Sequence, residues 1–224
     1  MNLMVNTATE YLGDPRFGMI VYRNMLPKQL RLIERLEETI GNSKTPPYMW
    51  MEALVGYNQK RPEYRDCVDC KMGELHIKHC PPQFAELVNI YNDTKNPLKE
   101  CIADYEKRYN LQLNYMEAIN FIRYGVNQHF QVHTDHGFSY TATTSSCMYF
   151  NDDYEGGELW FPYLDITFKP QYGDIVLFPS TYIYAHAAKP VLSGVKYSAV
   201  TMFDYNDNNH DLTRQASYNQ EKNY

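Results

Sequence analysis

Apolar residues along this chain recur at two different periods, and the change from one to the other divides it. In the first half the spacing is helical: Leu30, Ile33, Leu36 and Ile40 repeat every three to four positions, with Asn24 as a candidate cap, Pro27 in the first turn and Gly41 as the stop. An amphipathic helix of this kind must rest its apolar side on something later in the sequence. A second helical segment is predicted over 83–109, with Phe84, Leu87, Val88 and Tyr91 on one face, a break at Asn96-Pro97, then Leu98, Ile102 and Tyr105. Ahead of both, 19–22 reads as a short apolar strand. Between them, 45–65 is rich in Pro, Tyr, Trp and Met without a clear period, and is predicted to be a long surface loop able to act as a lid.

From residue 117 onward the pattern switches to short strands punctuated by Gly, Asn, Asp and Pro. They are predicted over 118–124, 130–135, 141–151, 158–161, 166–168, 174–178, 185–191 and 195–204. About eight such strands is the complement of a double-sheet jelly roll. The fold class is therefore mainly β with flanking helices: a double-stranded β-helix with the N-terminal helices packed on one sheet. Residues 1–205 form a single domain, with 116–205 as its core, and the polar stretch 206–224 is expected to be a mobile tail.

Composition narrows the class. At 224 residues with 44% hydrophobic and 15% aromatic content, the protein has enough apolar surface for its own core, which excludes wholesale disorder and a disulfide-stapled miniprotein. The net charge of −6 disfavours a nucleic-acid partner. No apolar run has the length of a membrane span, and the first basic residue, Arg16, comes too late for a secretory leader, so a cytoplasmic location is expected. The five cysteines are an odd count without the spacing of a disulfide framework, which suits a reducing compartment.

The candidate chemistry lies in Gln131-Val132-His133-Thr134-Asp135, where a period of two places His133 and Asp135 on the same strand face. A third donor, His186, follows in Tyr184-Ala185-His186-Ala187 on another strand. Two histidines and one carboxylate on one face of an iron leave the opposite face open, the arrangement of non-haem Fe(II) oxygenases. A single His-x-Asp pair is more often a surface pair, so the weight rests on what surrounds it. His129 lies four residues, or about 13 Å, from His133 along a strand, and His136 points away from Asp135, so neither is assigned as a ligand.

Downstream stand Gly156-Gly157-Glu158-Leu159-Trp160-Phe161-Pro162, then Gly173-Asp174-Ile175-Val176-Leu177-Phe178, then His186, then Pro190-Val191 and Gly194-Val195-Lys196-Tyr197. With Tyr124-Gly125-Val126 upstream and Tyr149-Phe150-Asn151-Asp152 between, their order and spacing resemble the catalytic domain of prolyl 4-hydroxylases, within the 2-oxoglutarate and Fe(II)-dependent dioxygenases. The resemblance runs from about Glu117 to Tyr205. It implies that His133, Asp135 and His186 hold Fe(II), that 2-oxoglutarate and O2 are co-substrates, and that ascorbate is a further cofactor. Lys196, ten residues after His186, would pair with the distal carboxylate of 2-oxoglutarate, while Tyr124 and Tyr149 would hydrogen-bond the co-substrate. Were Lys196 only snorkelling to solvent, Arg123 is the fallback anion holder.

The implied reaction is hydroxylation of a peptidyl side chain, proline first, with 2-oxoglutarate converted to succinate and CO2; the partner is a peptide or protein, not a membrane. Met202 stands where the family often has Trp near the entering residue, and a short link, 136–140, replaces a longer loop, so the target and the openness of the pocket depart from the pattern. The alternatives are the same chemistry on a free amino acid, small metabolite or nucleobase, and a catalytically silent jelly-roll binding module. Outside the resemblance, Cys67, Cys70, His76, His79 and Cys80 place five zinc-capable side chains in fourteen residues. An alternating strand over 66–72 explains the cysteines equally well, and they are not assigned as a site.

Overall fold

A computed structural model describes residues 8–56, 59–137 and 141–206. Its strands, in sequence order, are β1 (Thr9–Tyr11), β2 (Ile20–Tyr22), β3 (Met51–Glu52), β4 (Arg65–Asp66), β5 (Val68–Met72), β6 (Tyr115–Met116), β7 (Ile119–Tyr124) and β8 (His129–His133). There follow β9 (Thr144–Tyr149), β10 (Glu155–Gly156), β11 (Leu159–Phe161), β12 (Ile166–Phe168), β13 (Ile175–Pro179), β14 (His186–Ala188), β15 (Val191–Ser193) and β16 (Lys196–Asp204). The α-helices are α1 (Leu32–Leu36), α2 (Glu74–Lys78) and α3 (Ala85–Tyr109). Antiparallel pairing sorts the strands into a nine-stranded sheet, β1-β2-β13-β9-β16-β7-β5-β3 with β6 beside β16, a five-stranded sheet, β12-β11-β14-β8-β4, and a separate pair, β10-β15. The two sheets are those of a jelly roll, as the strand pattern predicts. The tail, from 207 on, lies outside the described residues.

Strict alternation along the central strands builds two cores from one sheet. Ile20, Met148, Ile175, Leu177, Ala199 and Phe121 face the helices, together with Leu87, Leu98 and Tyr105 of α3. Their neighbours Met19, Val21, Cys147, Tyr149, Val176 and Phe178 face the other way and meet Leu159, Phe161 and Phe168 of the smaller sheet. The same parity turns Ile122 and Tyr124 inward beside Tyr154 and Val191. The site is built on this inner face.

The helical layer differs from its predicted form in two places. Pro97 does not break the second helix: α3 runs through it for 25 residues, burying Leu87, Ile90, Tyr91, Thr94, Leu98, Cys101, Ile102 and Tyr105 as one stripe. A proline inside a helix costs about 3 kcal/mol. Each large apolar side chain buried in that stripe contributes roughly 1.5–3 kcal/mol, so packing on the sheet outweighs the local defect. The first helix, in contrast, is interrupted where expected to be whole. Arg31 takes a left-handed conformation, φ 47°, which separates a 3-10 turn, Lys28–Leu30, from α1. The fully buried face is then Leu32, Leu36 and Ile40, while Leu30 and Ile33 pack only partly.

A π-helical turn, Glu37–Gly41, follows α1. It presents Glu37, whose Oε1 accepts hydrogen bonds from Trp50 Nε1 (3.1 Å), Arg123 NH1 (3.0 Å) and the Tyr197 hydroxyl (3.0 Å). That network pins the stretch predicted to be a lid. Tyr48, Trp50 and Ala53 are buried, β3 joins the edge of the large sheet and β4 joins the small one, so 45–65 is anchored at both ends rather than free. Residues 57–58 of it lie outside the described residues. The strand predicted over 185–191 is in fact two, β14 and β15, in different sheets. Pro190, between them, has no N–H to give to a ladder.

Candidate active site

Strands β8 and β14 run side by side with His133 opposite His186, their ring centroids 4.4 Å apart. Nδ1 of His133 lies 2.8 Å from the Gln131 carbonyl oxygen, and Nδ1 of His186 lies 3.1 Å from that of Tyr184. A carbonyl only accepts, so each Nδ1 carries a proton and donates it, and each Nε2 presents a lone pair. Those two Nε2 atoms stand 3.6 and 3.8 Å from the two carboxylate oxygens of Asp135. The three donor atoms all fall within 4.8 Å of one another, the one such group among the described residues.

Asp135 reaches this position differently from the predicted continuous strand. β8 ends at His133, and Asp135 sits in the bend that follows, where the next N–H, of His136, donates to the Ser180 carbonyl (3.1 Å). His129 and His136 are elsewhere engaged: His136 Nδ1 lies 2.8 Å from the Ala142 carbonyl oxygen, and His129 Nδ1 lies 3.3 Å from that of Asn127.

Aromatic rings flank the triad. Phe130 stacks on His133 at 3.6 Å and 13°, and Phe178 meets His186 edge-on at 4.9 Å. Burial, reinforced by the neighbouring His186, pushes His133 down to about 3, so its imidazole is neutral. Burial alone would raise Asp135; the flanking His186 and His133, with a hydrogen bond from Ser145, overcome it and hold the carboxyl below its usual range. Two imidazoles and one carboxylate, their donor atoms already converged, fit a divalent transition metal such as Fe(II).

Lys196 lies on the opposite wall, on the inner face of β16, directly across from Tyr124 of β7. It is 3% exposed, and its ammonium sits 5.3 Å above the Tyr124 ring and 5.4 Å above the Tyr149 ring, donating to the Gly157 carbonyl at 2.7 Å. No carboxylate among the described residues lies within bonding reach, which makes the buried ammonium costly, and burial pushes it down to about 8. The donor set fits a carboxylate-bearing ligand. Gly157 is part of the seat: at φ +65°, a Cβ there would lie 2.9 Å from the Tyr154 ring and 3.2 Å from the Lys196 methylenes.

Tyr124 and Tyr149 are both buried, their hydroxyls beside the thiols of Cys67 and Cys147, and burial pushes both well above the ordinary phenol range. Arg123, the alternative anion holder, projects from the other face of β7 to Glu37. Sequence reasoning missed Ser145 and Cys147, although their period of two with Tyr149 along β9 places them on the inner face. It also missed Arg65 and Asn120, which no motif marks. The cysteine-histidine cluster is dispersed: Cys67 packs with Tyr124 between the sheets, Cys70 faces the helices, and His76 lies on α2.

Residues 119–204 match the sequence model of the 2OG-Fe(II) oxygenase superfamily. A search of curated proteins finds no match. Among solved structures, the protein is similar to a prolyl hydroxylase from Trichoplax adhaerens in complex with a hypoxia inducible factor oxygen degradation domain peptide fragment, at 14% identity and a TM-score of 0.65, covering 84% of each sequence. It is also similar to a prolyl-4-hydroxylase from Pseudomonas putida, at 14% identity and a TM-score of 0.60, over 86% of this protein and 95% of that one. A 2OG-Fe(II) oxygenase family oxidoreductase from Burkholderia pseudomallei aligns at 12% identity and a TM-score of 0.59, over 84% and 86%.

Proposed function

We propose, from the premise that this protein is a 2OG-Fe(II) oxygenase of prolyl-hydroxylase-like fold, that it hydroxylates a peptidyl side chain, proline before others. The observation that carries the reading is the opposition of the His133, Asp135 and His186 donors to a buried Lys196 that has no carboxylate partner among the described residues. His133, Asp135 and His186 would hold Fe(II), and Lys196, Tyr149 and Tyr124 would hold 2-oxoglutarate. Iron and co-substrate, when bound there, would supply oxygen activation coupled to decarboxylation of 2-oxoglutarate to succinate and CO2, with one oxygen atom going to a substrate C–H bond.

The protein's own contribution is positioning. The Gln131 and Tyr184 carbonyls lock both imidazole tautomers, and Phe130, Phe161 and Phe178 pack against the two rings and fix their planes. The Trichoplax adhaerens enzyme, whose fold this protein shares, is described with a peptide fragment bound, which favours a peptide as the substrate class.

The direct test is incubation with Fe(II), 2-oxoglutarate and an array of short peptides, each with one central proline, read by mass spectrometry. A peptide that gains one oxygen atom as succinate forms is the expected result. Oxygen transfer to free proline with no peptide modified would overturn the peptidyl assignment, and no succinate at all would overturn the enzyme reading.

The titration of Lys196 gives an independent expectation. With its free-state value at about 8, the lysine is charged below that pH and must take up a proton to bind a carboxylate above it. Affinity for 2-oxoglutarate, measured by calorimetry with Mn(II) replacing iron, should be flat below about pH 7 and weaken towards tenfold per unit above about pH 8. A flat profile to pH 10 would assign the anion to another group.

A further inference from the structure

A polar group on the inner faces of β4, β5 and β7 takes no part in holding iron or co-substrate. Asp69 Oδ2 accepts from Arg65 NH2 and from Asn120 Nδ2, both at 3.0 Å, and Arg65 NH1 donates to the Leu54 carbonyl at 2.9 Å. Because the Asn120 amide must turn its nitrogen to the carboxylate, its oxygen is left over. That Oδ1 is buried with no hydrogen-bond partner among the described residues, and so is Nε of Arg65. The Cys67 thiol beside the guanidinium is only a weak acceptor. Folded proteins rarely leave buried polar atoms unmatched, and two such atoms on one network point to a ligand that matches them.

Both residues border the active site. Asn120 shares the inner face of β7 with Ile122 and Tyr124, and pairs across Val200 with the row of Cys147. Arg65 lies 4.9 Å above the Phe130 ring, which stacks on His133, and its charge is felt by both His133 and Asp135. The charge is already balanced. Arg65 against Asp69, with a neutral amide, leaves no net charge for the carboxylate or ammonium of a free amino acid. What remains is one N–H donor and one oxygen acceptor, the complement of the carbonyl and amide groups of a peptide backbone.

We propose that Arg65 and Asn120, held by Asp69, are the backbone grip for a peptide entering beside the triad: Arg65 Nε–H donates to a peptide carbonyl and Asn120 Oδ1 accepts a peptide N–H. This deepens the peptidyl-hydroxylase reading and rests on it. Specificity at this point is for extended peptide backbone rather than for a side chain.

The probe is the peptide that wild-type enzyme oxygenates fastest from the proline array. Asn120→Leu keeps the size and removes the acceptor; Arg65→Lys keeps the charge and removes Nε–H. Each should raise the peptide KM about tenfold while kcat and the KM for 2-oxoglutarate stay close to wild type. A scan of singly N-methylated peptides should find one amide whose methylation costs wild type a similar factor and costs Asn120→Leu nothing further. If both variants keep the wild-type peptide KM, or the methyl penalty persists in Asn120→Leu, the grip is overturned while the hydroxylase reading stands. If wild type consumes 2-oxoglutarate but oxygenates no peptide in the array, the peptidyl reading fails and takes this inference with it.

Discussion

His186→Ala is expected to abolish stoichiometric iron binding and to lower iron-dependent succinate formation by more than about a hundredfold, with the same result for His133→Ala and Asp135→Ala. Each residue supplies one of three donors, and no other His, Cys, Asp or Glu among the described residues stands ready as a substitute. Loss of a residue that merely orients a metal ligand already costs about 10–100-fold in affinity, so loss of the ligand itself should exceed that. His186 is buried against Phe161 and Phe178, so its removal also opens a small cavity. Circular dichroism and thermal unfolding of the metal-free proteins separate that cost from metal loss. His129→Ala and His136→Ala are the controls, since both rings are engaged with backbone carbonyls away from the donor group. A His186→Ala protein that still binds one equivalent of iron would sink the assignment.

Lys196 should show opposite effects on binding and on stability. Removing one partner of a buried ion pair costs about 3–5 kcal/mol, a factor of hundreds or more in affinity, so Lys196→Ala should weaken 2-oxoglutarate binding at least about a hundredfold. Iron binding should be nearly untouched, because the lysine lies on the opposite wall from the triad. Without ligand, however, the buried ammonium is a liability. The folded-state value of about 8, against 10.5 for an unperturbed lysine, means that the unfolded protein binds more protons between those values. Stability therefore rises with pH across that window, and below about pH 8 the full cost, about 3 kcal/mol, is present. Lys196→Met should stabilise the ligand-free protein at pH 7 by about 1–3 kcal/mol, in line with apolar replacement of buried charges. Denaturant unfolding with and without 2-oxoglutarate reads both effects. Normal co-substrate affinity in Lys196→Ala, or a Lys196→Met protein less stable than wild type, would each refute the corresponding half.

Much of the site was legible because it is written at short range. His133 and Asp135 are two residues apart, close enough that the bend after β8 brings the Asp135 carboxylate beside the His133 ring. Lys196, Tyr124 and Tyr149 sit at motif positions within recognisable strands, and register then places Lys196 opposite Tyr124. The strands were readable for the same reason: alternation along β7, β9, β13 and β16 is a local record of two different surroundings, helices on one side and the second sheet on the other.

What the sequence by itself determined was the strand-rich core, its inward parity, and the motifs that mark His133, Asp135, His186 and Lys196 as candidates. Tertiary structure decided where long-range packing or partnering overruled a local signal. Pro97 is a helix breaker on its own, but the eight-residue buried stripe of α3 holds the helix through it. The aperiodic 45–65 stretch looks free until Trp50 finds Glu37 and β3 and β4 find their sheets. Arg65, Asp69 and Asn120 lie up to 55 positions apart, and nothing in any one of them announces the other two. Only the pairing of β5 with β7 and of β4 with β8 brings them into one hydrogen-bonded group beside His133, because contacts between distant strands are set by sheet order, which no local period encodes.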